Sequence, residues 1–337
     1  MTTTHAGEPA ARHLLDSALT RHAHIEVPLI CGAMYPCSNP ELVAAVSEAG
    51  GIGIVQPVSM TYVHGHEFRA GLRLIRSLTS RPIGMNALIE KSSRLYMERM
   101  QRWVDIAIEE GVRFFVTSLG NPRWVAERAH AVGGFVYHDV TEAKWAAKGR
   151  DGGVDGLIAV NCRAGGHAGP RSAEALLAEL APFGLPVVCA GGIGDGAAFA
   201  AALRLGYAGV QMGTRFIATP ECRASDAYKR AIVAAEAADV VLSERITGIP
   251  VAILNTPYVQ RTGTRAGPFA RWMLRGRRTK HWMRSIYALQ SLWLLKRDAL
   301  DPRADRDIWQ AGKSVAAIHS IEQAGDIVRA CAAAARA

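Results

Sequence analysis

His167 stands among glycines in the run Asn161-Cys-Arg-Ala-Gly-Gly-His-Ala-Gly-Pro170. The run follows the apolar stretch GLIAV (156–160), where a buried strand should end. Gly165 and Gly166 allow a backbone to approach a flat ligand closely, and an imidazole takes or gives a proton near neutral pH. Two more glycine-rich runs follow. AGGIGDG (190–196) ends one apolar stretch and opens a helical one, and QMGTRF (211–216) does the same one strand later. Small residues there let backbone N–H groups meet an anion, so the pair reads as a phosphate cradle. The competing reading is tight turns that only glycine fits. A dinucleotide fingerprint is not present: GGIGDG lacks the G-x-G-x-x-G spacing, and the early glycines of EAGGIGIVQP (48–57) precede a strand instead of following one.

Other reactive side chains make weaker candidates. His64 and His66 lie in TYVHGHEF after the second apolar run, and His138 ends the fifth; all three are within reach of a site at the strand ends. His5, His13, His22 and His24 belong to a polar leader that reads as solvated. There is no HExxH and no CxxC pair, so no metal site is expected. GxSxG is absent; Cys31 and Cys189 lie in apolar runs and read as core thiols, and Cys162 has no activating neighbour in the sequence.

These groups need a scaffold that brings strand ends together. Eight apolar runs recur: VPLIC (27–31), GIGIVQ (51–56), PIGMNAL (82–88), RFFVTSL (113–119), GFVYHDV (134–140), GLIAV (156–160), LPVVCAGG (185–192) and AGVQMGT (208–214). Ala- and Leu-rich helical segments alternate with them, and residues 223–238 supply an eighth. The pattern predicts a (β/α)8 TIM barrel, with a doubly wound sheet as the alternative. In such a barrel the active groups gather at the carboxyl ends of the strands. Those ends hold Gly32, Ala33, Met34, Gln56, Asn86, Thr117, Ser118, His138, Asn161 to His167, Gly191, Gly192, Gly213 and Thr214.

Beyond the eighth run the rhythm breaks. ITGIPVAILNTPYVQRTGTRAGPFARWM reads as turns and irregular structure, and WMRSIYALQSLWLLK as a helix with Trp282, Ile286, Leu289 and Trp293 on one face. The expected division is a leader at 1–24, the barrel at 25–222, a mainly helical extension at 223–315 and a helix at 316–337 that returns to the barrel. Between Arg261 and Arg297 lie ten Lys or Arg and no acid, against a total net charge of +9, which leaves −1 for the rest of the chain. The basicity is therefore local, and nucleic acid is not the expected partner. Trp272, Tyr287 and the other aromatics among these cations also suit peripheral contact with a membrane surface, which is the reading from a different functional class. The first residues lack an apolar signal core, no apolar run reaches membrane-spanning length, and the cysteines form no framework, so the expected location is the cytoplasm.

The sequence resembles the FMN-dependent nitronate monooxygenase, or 2-nitropropane dioxygenase-like, family, with its relatives the flavin-type enoyl-thioester reductases and NAD(P)H-quinone reductases. PLICGAM, NPELVAAVSEAGGIGIV, PIGMNAL, GVDGLIAVNCRAGGHAG, LPVVCAGGIGDG, GVQMGTRF and DIWQAGKSVAAIHSI carry the likeness, over most of 25–250 and about 307–330. The resemblance implies an FMN-binding barrel with a smaller substrate-facing extension. It would place Gly191, Gly192, Gly213 and Thr214 at the FMN phosphate. Gly32, Ala33, Met34 and Gly166 would lie against the flavin ring, Asn86 and Gln211 on its polar atoms, and His167 would be the catalytic group. Four places depart from the family pattern, the stretch Thr117-Ser118-Leu119-Gly120-Asn121-Pro122 among them. Ala33 precedes Met34 where Pro is usual, Asn161-Cys162-Arg163 replaces Gly-x-Glu, and the Arg-rich 261–297 segment matches no well-known member.

The resemblance implies a monooxygenase that converts alkyl nitronates with oxygen into carbonyl compounds and nitrite. Its alternative is a reductase of enoyl thioesters or quinones that takes NADH or NADPH as co-substrate. The substrate is then a small molecule, an anion or a coenzyme A thioester, whose phosphates would suit Arg271, Arg275, Arg277, Arg278 and Lys280. A homodimer is the alternative use of the apolar helix face.

Overall fold

Eight short parallel strands close into a barrel in chain order in this computed structural model, which describes residues 14–90, 93–246, 248–265, 293–300 and 307–337. They are β1 (Leu29–Cys31), β2 (Ile52–Val55), β3 (Gly84–Ile89), β4 (Phe114–Leu119), β5 (Phe135–Val140), β6 (Gly156–Val160), β7 (Val187–Ala190) and β8 (Gly209–Met212). Leu29 pairs with Val210 and Cys31 with Met212, which seals β1 to β8. The eight apolar runs thus fold as the eight strands of a (β/α)8 barrel, because strands buried on both faces need unbroken hydrophobic stretches.

Helix α1 (Ala18–Ala23) precedes β1. Helices α2 (Pro40–Glu48), α3 (Phe68–Leu78), α4 (Arg94–Glu109), α5 (Arg123–His130), α6 (Ala143–Asp151), α7 (Ala173–Leu180) and α8 (Gly196–Leu205) fill the seven crossovers. The eighth place in the outer ring corrects the sequence reading. It is filled by the closing helix Ala324–Arg336, which packs between α8 and α2, and not by 223–238. Cys331 and Val328 are fully buried in that contact.

Strand alternation sorts the side chains. Ile30, Ile52, Ile54, Phe114, Val116, Tyr137, Ile158, Val188 and Ala190 form a separate cluster inside the barrel, and the alternate residues face the helices. The lower mouth of that interior must be covered. Leu19 and Ala23 of α1 cover it: both are buried within the same cluster. Gly209 makes room, since a Cβ there would stand 2.4 Å from Leu19 Cδ2. His22 stacks on Phe135 with ring centroids 4.3 Å apart, and its Nδ1 lies 3.1 Å from the Tyr137 hydroxyl. Residues 14–23 are therefore a plug in contact with the core, where the sequence read a solvated leader.

After β8 the chain forms α9 (Thr214–Ile217), α10 (Asp226–Ala234), an antiparallel pair β9 (Val240–Ser243) and β10 (Val251–Leu254), and α11 (Pro257–Thr262). Residues 293–300 are helical. The irregular reading of VAIL is corrected: Pro250 and the Asn255-Thr256-Pro257 turn leave only four residues, yet all four are buried as β10. Ile246, Val251, Ile253, Val259 and Leu295 make the extension's own small core. Most of the basic aromatic segment, including Arg271 to Lys280 and Trp282 to Leu289, lies outside the described residues. Trp293 is exposed with the Arg297 guanidinium 4.9 Å from its ring centre. No helix among the described residues is long and apolar enough to cross a membrane.

Replacing Leu19 with Ala should lower the unfolding free energy by about 2–5 kcal/mol, the usual result of truncating a fully buried leucine. A denaturant titration giving a loss below about 0.5 kcal/mol would return this segment to a solvated role.

Candidate active site

A cavity of about 260 Å³ opens where the strands end. Nearly every strand sends an inward residue or the next loop to its wall: Ala33 after β1, Gln56 after β2, Asn86 and Leu88 from β3, Val116 and Ser118 from β4. Asp139 comes from β5, His167 from the loop after β6 and Gln211 from β8. Tyr35, Leu295 and Gln310 complete it from the first loop and the extension. Of the residues singled out in the sequence, Ala33, Gln56, Asn86, Ser118, His167 and Gln211 therefore meet in one space.

Backbone contacts fix the His167 loop. The Gly166 carbonyl accepts from the Ala252 amide of β10 at 2.8 Å, and the Arg163 carbonyl accepts from Lys313 at 2.9 Å. Gly166 takes φ +70°, which aims His167 away from the strand direction. Asn161 is fully buried and donates to the Gly191 carbonyl at 2.9 Å, tying this loop to the next one. His167 lines the cavity and keeps exposed surface, with protein crowded around the ring on its inner side. That enclosure holds its pKa below the ordinary histidine value, so the neutral imidazole prevails at pH 7.

Gly191, Gly192, Gly213 and Thr214 are not in the cavity wall, but the turn after β7 packs against the loop that carries His167. Gly191 and Gly192 have φ of +117° and +83°. A Cβ on Gly191 would stand 2.6 Å from the Ala164 nitrogen, and one on Gly192 would stand 2.6 Å from Arg163 Nε. Arg163 thus lays its guanidinium group across the second turn and supplies the positive charge that backbone N–H groups alone would lack. Asp195 caps the start of α8 by accepting from the Ala198 amide at 2.8 Å. Gly213 backs onto the Met34 side chain, with Sδ 3.5 Å from where its Cβ would be. Thr214 is buried, and its hydroxyl accepts from the Gly312 amide at 2.9 Å, so it braces the closing segment.

Two buried polar atoms in the cavity have no hydrogen-bond partner among the described residues: Gln211 Oε1 and Asp139 Oδ1. Gly32 leaves the room that Gln211 needs, since a Cβ there would touch its Cδ at 3.0 Å. A buried acceptor without a donor is costly unless a ligand supplies one. With Asn86 nearby and the glycine turns under Arg163, this set fits a phosphate-bearing heterocycle such as FMN. Burial alone pushes the Asp139 carboxyl up to about 7.

Strand parity removes other candidates. His138 faces outward, fully buried against α6, with Nδ1 2.9 Å from Thr117 Oγ1, and burial pushes it down to about 4. Thr117 is thereby an outer residue too, and Asp139, one position on, takes the place in the cavity. His64 and His66 are not in the cavity wall; His64 is pushed down to about 4 by burial and by Arg223. Sequence reasoning passed over Asp139, Tyr35 and Gln310. Alternation from Tyr137 would have found Asp139, whereas Gln310 and Tyr35 arrive through tertiary packing that no local signal announces.

A family model described as nitronate monooxygenase matches residues 16–331. A (3aS,4S,5R,7aS)-5-hydroxy-7a-methyl-1-oxo-octahydro-1H-indene-4-carboxyl-CoA dehydrogenase of Rhodococcus jostii is 34% identical over 246 residues, covering 73% of this chain and 67% of that protein. A nitronate monooxygenase of Pseudomonas aeruginosa is 32% identical over 272 residues, covering 68% and 77%. Among solved structures, FabK from Thermotoga maritima matches with a TM-score of 0.77 at 27% identity over 95% of this chain and 96% of its own. The nitroalkane oxidase of Streptomyces ansochromogenes matches with a TM-score of 0.72 at 25% identity over 95% and 98%.

Replacing Gln211 with Leu should weaken FMN binding about tenfold, the worth of one good hydrogen bond. The flavin-free protein should melt no lower, because an unpaired buried acceptor is gone. Fluorescence titration showing wild-type affinity would overturn the role given to Gln211.

Proposed function

The chain belongs to the nitronate monooxygenase family, and from that premise we propose that this FMN-dependent oxidoreductase acts at a carbon beside an electron-withdrawing group, foremost that of a coenzyme A thioester. One observation carries the reading: a neutral imidazole, His167, opens into the strand-end cavity from the same loop that Asn161 and Arg163 tie to the glycine turn after β7. When bound, the flavin supplies the two-electron acceptor or donor that the side chains lack. Gly191, Gly192, Gly213 and Arg163 would hold its phosphate, and Asn86 and Gln211 would meet its polar ring atoms.

The rest is the work of the protein's own groups. His167 Nε2 or Nδ1, neutral at pH 7, takes the proton that leaves the activated carbon, or returns one in the reverse direction. The Gly166 to Ala252 hydrogen bond holds the ring over the cavity, so little orientation is lost on binding. Leu88, Val116 and Leu295 line the same space and keep water from competing for the proton. The described part of the extension acts as a cap, since it contributes Leu295 and Gln310 to the wall.

The thioester reading draws support from the two carboxyl-CoA dehydrogenases, of Rhodococcus jostii and Mycobacterium tuberculosis, each 34% identical. Nitronate oxidation is the second reading, supported by the family model and the Pseudomonas aeruginosa enzyme. Anaerobic mixing of the flavin-loaded protein with NADH, NADPH, propyl-2-nitronate or an acyl-CoA separates them. Bleaching of the flavin by acyl-CoA, or by a pyridine nucleotide with reoxidation by enoyl-CoA, supports the first. Bleaching by nitronate alone overturns it in favour of the second.

Replacing His167 with Ala should leave FMN bound yet slow flavin reduction by substrate by about 10²–10⁴-fold, the usual worth of a positioned acid or base. In the wild type the rate should fall as pH drops through the lowered His167 pKa, and that limb should vanish in the variant. Equal rates in stopped-flow would remove His167 from the mechanism.

A further inference from the structure

Asp139 is an odd residue for the floor of a barrel whose substrate is an anion. Parity aims it inward from β5, beside Ile158 of β6 in the register and next to Ser118 of β4 in the wall. Its Oδ1 is buried without a hydrogen-bond partner among the described residues, and its side chain lines the cavity. No described lysine or arginine lines that space. The other ionisable groups there are Tyr35, whose phenol is pushed up to about 12, and His167, which is held neutral, both by burial. On the outer side, Lys148 of α6 acts on His138, which faces away, and the shift on Asp139 has burial as its sole cause. A negative ligand brought beside this carboxylate meets repulsion with no nearby counter-charge to offset it.

We propose that Asp139 makes the cavity select uncharged substrates, so that a neutral carbon acid enters and a preformed anion of the same shape is turned away whenever this carboxyl is ionised. This rests on the cavity being the substrate site. It predicts that thioesters and neutral nitroalkanes are accepted across the pH range, whereas alkyl nitronates bind only to the protonated carboxyl. The apparent affinity for an anion then scales with the protonated fraction. For a carboxyl titrating at about 7, that is roughly a thirtyfold loss between about pH 6 and about pH 8.5.

The test is binding, so it does not depend on which substrate turns over. Isobutyrate, which shares its charge and heavy-atom connectivity with propyl-2-nitronate, and its neutral counterpart isobutyramide are titrated into the flavin-loaded protein by ligand-observed NMR at both pH values. The expected result is isobutyrate weakening by about thirtyfold while isobutyramide does not change, and Asp139→Asn binding isobutyrate equally at both. The isosteric amide should keep the fold, and the wild-type titration decides even if it does not. A pH-independent isobutyrate affinity in the wild type overturns the proposal, as does binding of neither probe. Retention of the pH dependence in Asp139→Asn, with its loss in His167→Gln, reassigns the effect to the imidazole and overturns it too. Failure of acyl-CoA to bleach the flavin would instead strike the thioester reading and leave this selection intact.

Discussion

Backbone meets backbone at Gly165 and Gly312, and the site depends on that approach. A Cβ on Gly312 would stand 2.6 Å from the Gly165 nitrogen and 2.8 Å from the Arg163 carbonyl oxygen. Without side chains at either position, the segment 309–313 lies directly on the loop after β6. From there it accepts and donates in several directions. Gly312 donates to Thr214 after β8, Lys313 to Arg163, and Leu254 of β10 to the Trp309 carbonyl at 2.9 Å. Gly191 closes the set by pressing on Ala164. Three barrel loops and the extension are thus held at one place, and His167 is the side chain that emerges from it.

Around that junction the charges are sorted. Positive charge sits outside the cavity, where Arg163 crosses the glycine turn. Inside, burial pushes each ionisable group toward its neutral form: Asp139 upward, Tyr35 upward and His167 downward. A phosphate-bearing molecule suits the first zone, and an uncharged reactive group suits the second. One ligand with a charged tail and a neutral head would span both, as would a phosphorylated cofactor with a neutral partner.

Much of this was legible in the sequence, for a physical reason. Parallel barrel strands are buried on both faces, so the eight apolar runs stood out, and glycines at their ends marked close approaches. What escaped depended on parity or on distant packing. His138 stands out as an imidazole at a strand end, but β5 alternation turns it outward to pair with Thr117 and gives the cavity to Asp139. VAIL has too few residues to show a period, and it becomes a strand because Val240–Ser243 and Gly166 give its backbone partners. Leu19 looked like part of a polar leader because only two of its turn's residues, Leu19 and Ala23, have to be apolar to fill the barrel mouth.

The closing helix carries a topological consequence. It occupies the ring position that belongs to β8, so the described elements between Met212 and Ala324 form an insertion within the last βα unit. Both ends of the insertion are pinned to the barrel wall. Its length and composition can therefore change through evolution with little effect on the ring, while each change reshapes the chamber roof. During synthesis α2 and α8 therefore keep apolar flanks uncovered until the closing helix, with Val328 and Cys331, has been made.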